Sequence, residues 1–154
     1  LCLLAPGTGF GVLMVIGTQI ALGGQYTLAG WLVACVPFLL VNNLLLLNQY
    51  PDIEADRQVG RRHFPIAYGV AASNRAFIAF LLLTALCLVG GAWSGLLPGL
   101  ALAALLPLPL ALFAWLGAQR HGAAIGAHPH FLAANVMAAL ASPGLLALGM
   151  WLGA

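Results

Sequence analysis

Five stretches of about twenty residues carry almost no ionised side chain, and that pattern removes most of the folds open to a chain of 154 residues. They run approximately from Cys2 to Leu22, Leu28 to Asn48, Asn74 to Ala92, Leu96 to Leu116 and Phe131 to Leu152. Each is long enough to cross a hydrocarbon core of about 30 Å as a helix. Charged residues make up 5% of the chain, against about 25% in soluble domains, and the mean hydropathy is +1.05. The expected fold is therefore all-α: a polytopic transmembrane helical bundle of about five spans, forming a single membrane domain over residues 1–154. Pro37, Pro107 and Pro143 inside these runs are tolerated where neighbouring helices satisfy the freed backbone groups. Ala71-Ala72, Ala103-Ala104 and Ala138-Ala139 offer places for close helix approach.

The connections alternate in character. Those near residues 23–27 and 93–95 are short and uncharged, whereas residues 49–73 and 117–130 hold Arg57, Arg61, Arg62 and Arg120, with Arg75 just inside the next span. Five spans put all five arginines on one side, and the positive-inside rule makes that side cytoplasmic. Trp31, Trp93, Trp115 and Trp151 fall near predicted helix ends, as an aromatic belt does. The net charge of +2 comes from five arginines and no lysine, too small a footprint for a nucleic-acid partner. Cys2, Cys35 and Cys87 sit singly in apolar runs and read as small hydrophobes, without disulfide or metal spacing. The opening Leu1 and the apolar end at Trp151 to Ala154 suggest a chain cut from something longer.

All three acidic residues, Asp52, Glu54 and Asp56, lie within five positions, and three arginines follow within six more. On a helix, Asp52 and Asp56 project from one face a turn apart, and Asn48 extends that line one turn earlier. Two carboxylates at this spacing repel, so a cation between them is expected, and hard oxygen donors with few charges suit Mg²⁺ shared with substrate phosphates. Arg57, Arg61 and Arg62 supply guanidinium forks for phosphate oxygens, and Gly60 lets the chain turn. A bland alternative stands beside this one. Pro51 fits a first helical position, Asp52 and Glu54 are then first-turn acids, Glu54 pairs with Arg57 at i, i+3, and the arginines only anchor topology.

The run from Asn48 to Arg62 resembles the second aspartate-rich motif of the UbiA superfamily of intramembrane prenyltransferases, N-x-x-x-D-x-x-x-D followed by a basic stretch containing Gly. It is closest to the 1,4-dihydroxy-2-naphthoate prenyltransferase branch. In that family the motif follows the sixth of nine helices, so this chain resembles helices five to nine. The resemblance implies that Asp52 and Asp56, assisted by Asn48, hold Mg²⁺ against the diphosphate of a polyprenyl donor. Arg57, Arg61 and Arg62 then neutralise the leaving diphosphate while an aromatic acceptor takes the prenyl group, in quinone-type biosynthesis at a bilayer such as the bacterial inner membrane. Two departures stand out. Arg61-Arg62-His63 replaces the usual Lys-Arg-Thr, and no further Asp or Glu exists to build the first aspartate-rich motif. Either the N-terminal half of the domain, a partner in the site, is missing from this chain and it is incomplete and inactive alone, or this is a natural half-length member that needs a partner or does no catalysis.

Other residues carry weaker signals. Asn42, Asn43, Gln19 and Asn135 lie in apolar runs, where an unpartnered amide is costly, and are expected to bond between helices. His121, His128 and His130 cluster without the partners of a complete zinc site. Gly7-Thr8-Gly9-Phe10-Gly11 has no preceding strand and is not a nucleotide loop. A membrane phosphotransferase of the CDP-alcohol type also uses Asp-rich motifs, but its D-G and A-R elements are absent here. A carrier places such carboxylates near the bilayer centre, not at the end of a span.

Overall fold

The computed structural model describes residues 3–153. They form six helices: α1 (Ala5–Ala21), α2 (Leu28–Asn48), α3 (Ile53–Gln58), α4 (Phe64–Trp93), α5 (Gly99–Ala127) and α6 (Pro129–Leu152). Four of them, α2, α4, α5 and α6, are long and apolar enough to cross a membrane, and α1 is a shorter apolar helix. The start of the first expected span, Cys2, lies outside the described residues. The chain is an integral, multi-pass membrane protein.

Two spans differ from their sequence expectation. Helix α4 begins at Phe64, ten residues before the expected Asn74, where extended His63 and Pro65 in the first turn launch it; at Gly69, φ 83° and ψ 163°, the backbone leaves helical geometry, so α4 is two helical pieces joined across a kink. Helix α5 runs on past the expected Leu116 to Ala127, with 3-10 turns at both ends flanking a regular stretch, Leu108–His121. The interval expected as one loop between Gln49 and Ser73 therefore holds α3 and the first turns of α4.

Apolar side chains fill the centre of the bundle and also cover its outside. Val36, Leu40, Leu81, Leu88, Ala101, Ala104, Ala138 and Leu146 meet at the centre, while Leu82, Leu86, Val89 and Leu140 point outward. A bundle whose outer face is leucine is built for lipid. Between helices in lipid, close packing and interhelical hydrogen bonds replace the hydrophobic drive, and both are present. Asn42 Oδ1 accepts from Gly7 N at 2.8 Å, Asn43 Nδ2 donates to Phe77 O at 3.0 Å, and Asn135 Nδ2 donates to Asn43 O at 3.2 Å. The asparagines thus tie α1, α4 and α6 to α2, as expected. Gln19 ties the end of α1 to the start of α2: its Nε2 donates to Gln25 O at 2.7 Å and to Oγ1 of Thr27, the N-cap of α2, at 3.3 Å. In the middle of α1, Thr8–Ile16 is wound as a π-helix, a rare winding usually confined to a single turn.

The cysteines are not solitary. Cys35 on α2 and Cys87 on α4 bring their Sγ atoms to 3.6 Å as free thiols. Cys2 lies outside the described residues.

Candidate functional site at the polar end of the bundle

The polar end is where α2 stops, α3 and the start of α4 turn, and the α5–α6 connection closes over them. Tyr50, fully buried, fixes the first bend. Its hydroxyl donates to Asn74 Oδ1 at 2.8 Å, and Trp115 Nε1 donates to Asn74 O at 2.9 Å, so α4 and α5 grip the loop from one side. Burial pushes the Tyr50 phenol well above its ordinary pKa of 10.0. From the other side, a Cβ on Gly126 would lie 3.0 Å from Pro51 Cβ, so the α5–α6 turn packs directly on the loop.

Asp52 is the N-cap residue of α3, and Pro51 lies in the turn before it rather than at the first helical position. The Asp52 carboxylate makes no capping hydrogen bond and, among the described residues, no ion pair, so it is unspent. Asp56 N donates to Asp52 O at 2.8 Å, which puts the two acids one helical turn apart, as their spacing predicts. Asn48 does not extend that line. It ends α2, and the break after it puts Asn48 and Asp52 on different helices. The turn nevertheless folds Asn48 back to the same cavity.

Helix α3 ends in a Schellman motif. Gly60 adopts φ 77°, its N–H donates to Arg57 O at 3.2 Å, and Arg61 N donates to Asp56 O at 2.9 Å. This reversal brings the Arg61 side chain back over the helix, where Nη1 meets Asp56 Oδ1 at 3.1 Å. The other carboxylate oxygen, Oδ2, lies 3.3 Å from Nε2 of His63, within ion-pair range but off hydrogen-bonding alignment. Asp56 is thus held between a cation and a buried imidazole.

A cavity of about 500 Å³ opens here. Asn48, Asp52, Asp56, Arg61 and Arg62 all line it, as do Gln49 and His63. Arg57 does not: its Nη1 pairs with Glu54 Oε2 at 3.1 Å on the exposed face of α3, the i, i+3 pairing that the bland reading anticipated. Gln49 was not singled out by the sequence. No pattern distinguishes an amide at that position, yet its Oε1 is buried without a hydrogen-bond partner at the cavity wall.

These donors suit Mg²⁺. Two carboxylates, the Asn48 amide and the orphaned Gln49 oxygen form a hard, oxygen-rich set. Among the described residues no three His, Cys, Asp or Glu side chains converge as a metal cage, so an ion here would have to complete its shell with water or substrate oxygens. The histidines likewise form no such cage. His121 and His128 stack with ring centroids 3.8 Å apart, and His130 packs on Phe131.

No curated protein and no solved structure matches the chain significantly. The profile of the UbiA prenyltransferase family, however, matches residues 2–136 and so takes in every residue of this cavity, and the chain belongs to that family.

Proposed function

We propose that this chain supplies one wall of a site that transfers a polyprenyl group from its diphosphate to an aromatic acceptor. The observation that carries the reading is the convergence of Asp52, Asp56, Arg61 and Arg62 on one cavity at the end of an apolar bundle. Asp52 and Asp56, with Asn48 and Gln49 beside them, would hold Mg²⁺, which when bound supplies charge to the donor's diphosphate. Arg61 and Arg62 offer guanidinium groups to its oxygens. As the allylic C–O bond breaks, the electron pair leaves with the diphosphate, and these cations compensate the charge that develops. An electron-rich ring carbon then bonds to the allylic carbon and loses its proton. The leucine-rich bundle excludes water from the cation and shelters the isoprenoid tail.

Within the family we favour a naphthoate-type acceptor and quinone biosynthesis, on the resemblance of the Asn48 to Arg62 motif. The cavity would face the cytoplasm, since every arginine lies at its end of the bundle. The two carboxylates on this cavity, Asp52 and Asp56, are half of what a Mg²⁺-diphosphate needs, so we assign the other half to a second aspartate-bearing segment outside this sequence. Alone, residues 1–154 would be inactive.

The test is prenyl transfer in membranes that carry the protein with its complementary segment, read as labelled lipid-soluble product. Asp52→Ala and Asp56→Ala should each abolish Mg²⁺-dependent transfer while membrane insertion stays intact. Full activity in either variant overturns the assignment.

A further inference from the structure

A second cavity, of about 490 Å³, opens between α4 and α5 at the same end of the bundle, outside the aspartate site. Its lining is graded. Ala71 and Gln119 lie nearest the polar end, Asn74, Arg75 and Trp115 come next, and Ile78 lies a turn deeper along α4. Arg75 is exposed and, among the described residues, has no carboxylate within ion-pair range, because all three acids belong to the aspartate loop. Its one hydrogen bond runs from Nε to Ala71 O at 3.4 Å, one turn towards the polar end. The guanidinium therefore bends towards headgroup depth, as arginines at helix ends do. Trp115 spends its indole N–H on Asn74 O, which locks the ring as a wall of the groove.

We propose that this groove binds an anionic phospholipid, its phosphate on Arg75 and Gln119 and the start of an acyl chain along Trp115 and Ile78. Charge complementarity selects the occupant. An unpaired cation at headgroup depth favours an anion, and basic grooves between spans take acidic headgroups. A free phosphate would leave the apolar floor at Ile78 bare, whereas a phospholipid covers both parts. The groove also touches the aspartate loop indirectly, because Asn74 holds both Trp115 and Tyr50.

The experiment uses the full chain, purified and delipidated in detergent, with phosphatidylglycerol and phosphatidylcholine of identical acyl chains. Retention is read by native mass spectrometry. Phosphatidylglycerol should be retained about fivefold better. Arg75→Gln should remove that preference and Arg75→Lys should keep part of it. Ile78→Trp, which fills the apolar floor and leaves every charge in place, should lower retention of phosphatidylglycerol even if Arg75→Gln does not fold. Excess inorganic phosphate should not displace the lipid. Equal retention of the two lipids, an undiminished preference in Arg75→Gln, undiminished retention in Ile78→Trp, or displacement by phosphate alone would each overturn the proposal.

Discussion

Tyr50 and Asn74 are joined by a 2.8 Å hydrogen bond that fastens the loop before Asp52 to the side of α4. Tyr50→Phe keeps the ring in its buried slot and removes the hydroxyl that bonds Asn74, so it should cost about 1 kcal/mol of stability. The same pair predicts an alkaline effect. Folding raises the phenol's pKa, so the folded state favours the neutral form. Its contribution is complete below the ordinary value of 10.0 and drains away as pH climbs beyond it. Thermal melts between pH 8 and about pH 11 should show a steeper alkaline loss in the wild type than in Tyr50→Phe. Parallel curves would remove Tyr50 as the cause.

Gly60 at φ 77° closes α3 and returns Arg61 to Asp56. Gly60→Ala places a Cβ in a left-handed conformation and should cost about 1 kcal/mol. Gly60→Asn, which tolerates this region better, should recover part of the loss. The comparison is read in melting temperature, and identical melts for Ala and Asn would argue against the backbone explanation.

The arginines of the motif should separate by the direction they face. Arg61 lines the cavity, so Arg61→Gln should lower prenyl transfer about a hundredfold. Arg57, paired with Glu54 on the outer face, should tolerate Arg57→Gln with transfer almost unchanged. Initial rates at saturating donor distinguish the two. A large defect in Arg57→Gln would place it in the diphosphate contact after all.

Cys35 and Cys87 approach to 3.6 Å between Sγ atoms, short of the bonded distance of about 2.05 Å by a shift that side-chain rotation and small helix movements can supply. A mild added oxidant should convert this pair into an intramolecular disulfide, each thiol giving up one proton and one electron to the oxidant. The check is the mass of the chain after alkylation of the remaining thiols. Cys35→Ser should prevent the cross-link, and full alkylation of both thiols in the oxidised wild type would refute their proximity.

Hydropathy was enough to find four spans and the shorter apolar helix, because lipid imposes a long, uniform apolar requirement that residue type records directly. It misplaced the start of α4, where Pro65, Tyr68, Gly69 and Ser73 look like loop but sit on a kinked helix. Carboxylate spacing correctly put Asp52 and Asp56 one turn apart, since i, i+4 geometry is local. It failed for Asn48, because Pro51, which has no N–H to continue the ladder, falls between α2 and α3 and ends the run before Asp52. The separation of Arg57 from Arg61 depends on a single Schellman turn. The cysteine pair depends on the register of two helices whose residues are 52 positions apart. Gly60 marks the turn in the sequence, but the register of the two helices leaves no mark in composition or period.

The packing of Gly126 on Pro51 carries a mechanical consequence. Gly126 has no side chain of its own, so the Pro51 ring packs directly against the α5–α6 hairpin next to the segment that presents Asp52. A larger residue at position 126 would have to displace Pro51, and with it the segment that presents Asp52, so the smallness of Gly126 sets how closely the hairpin seats on the aspartate loop.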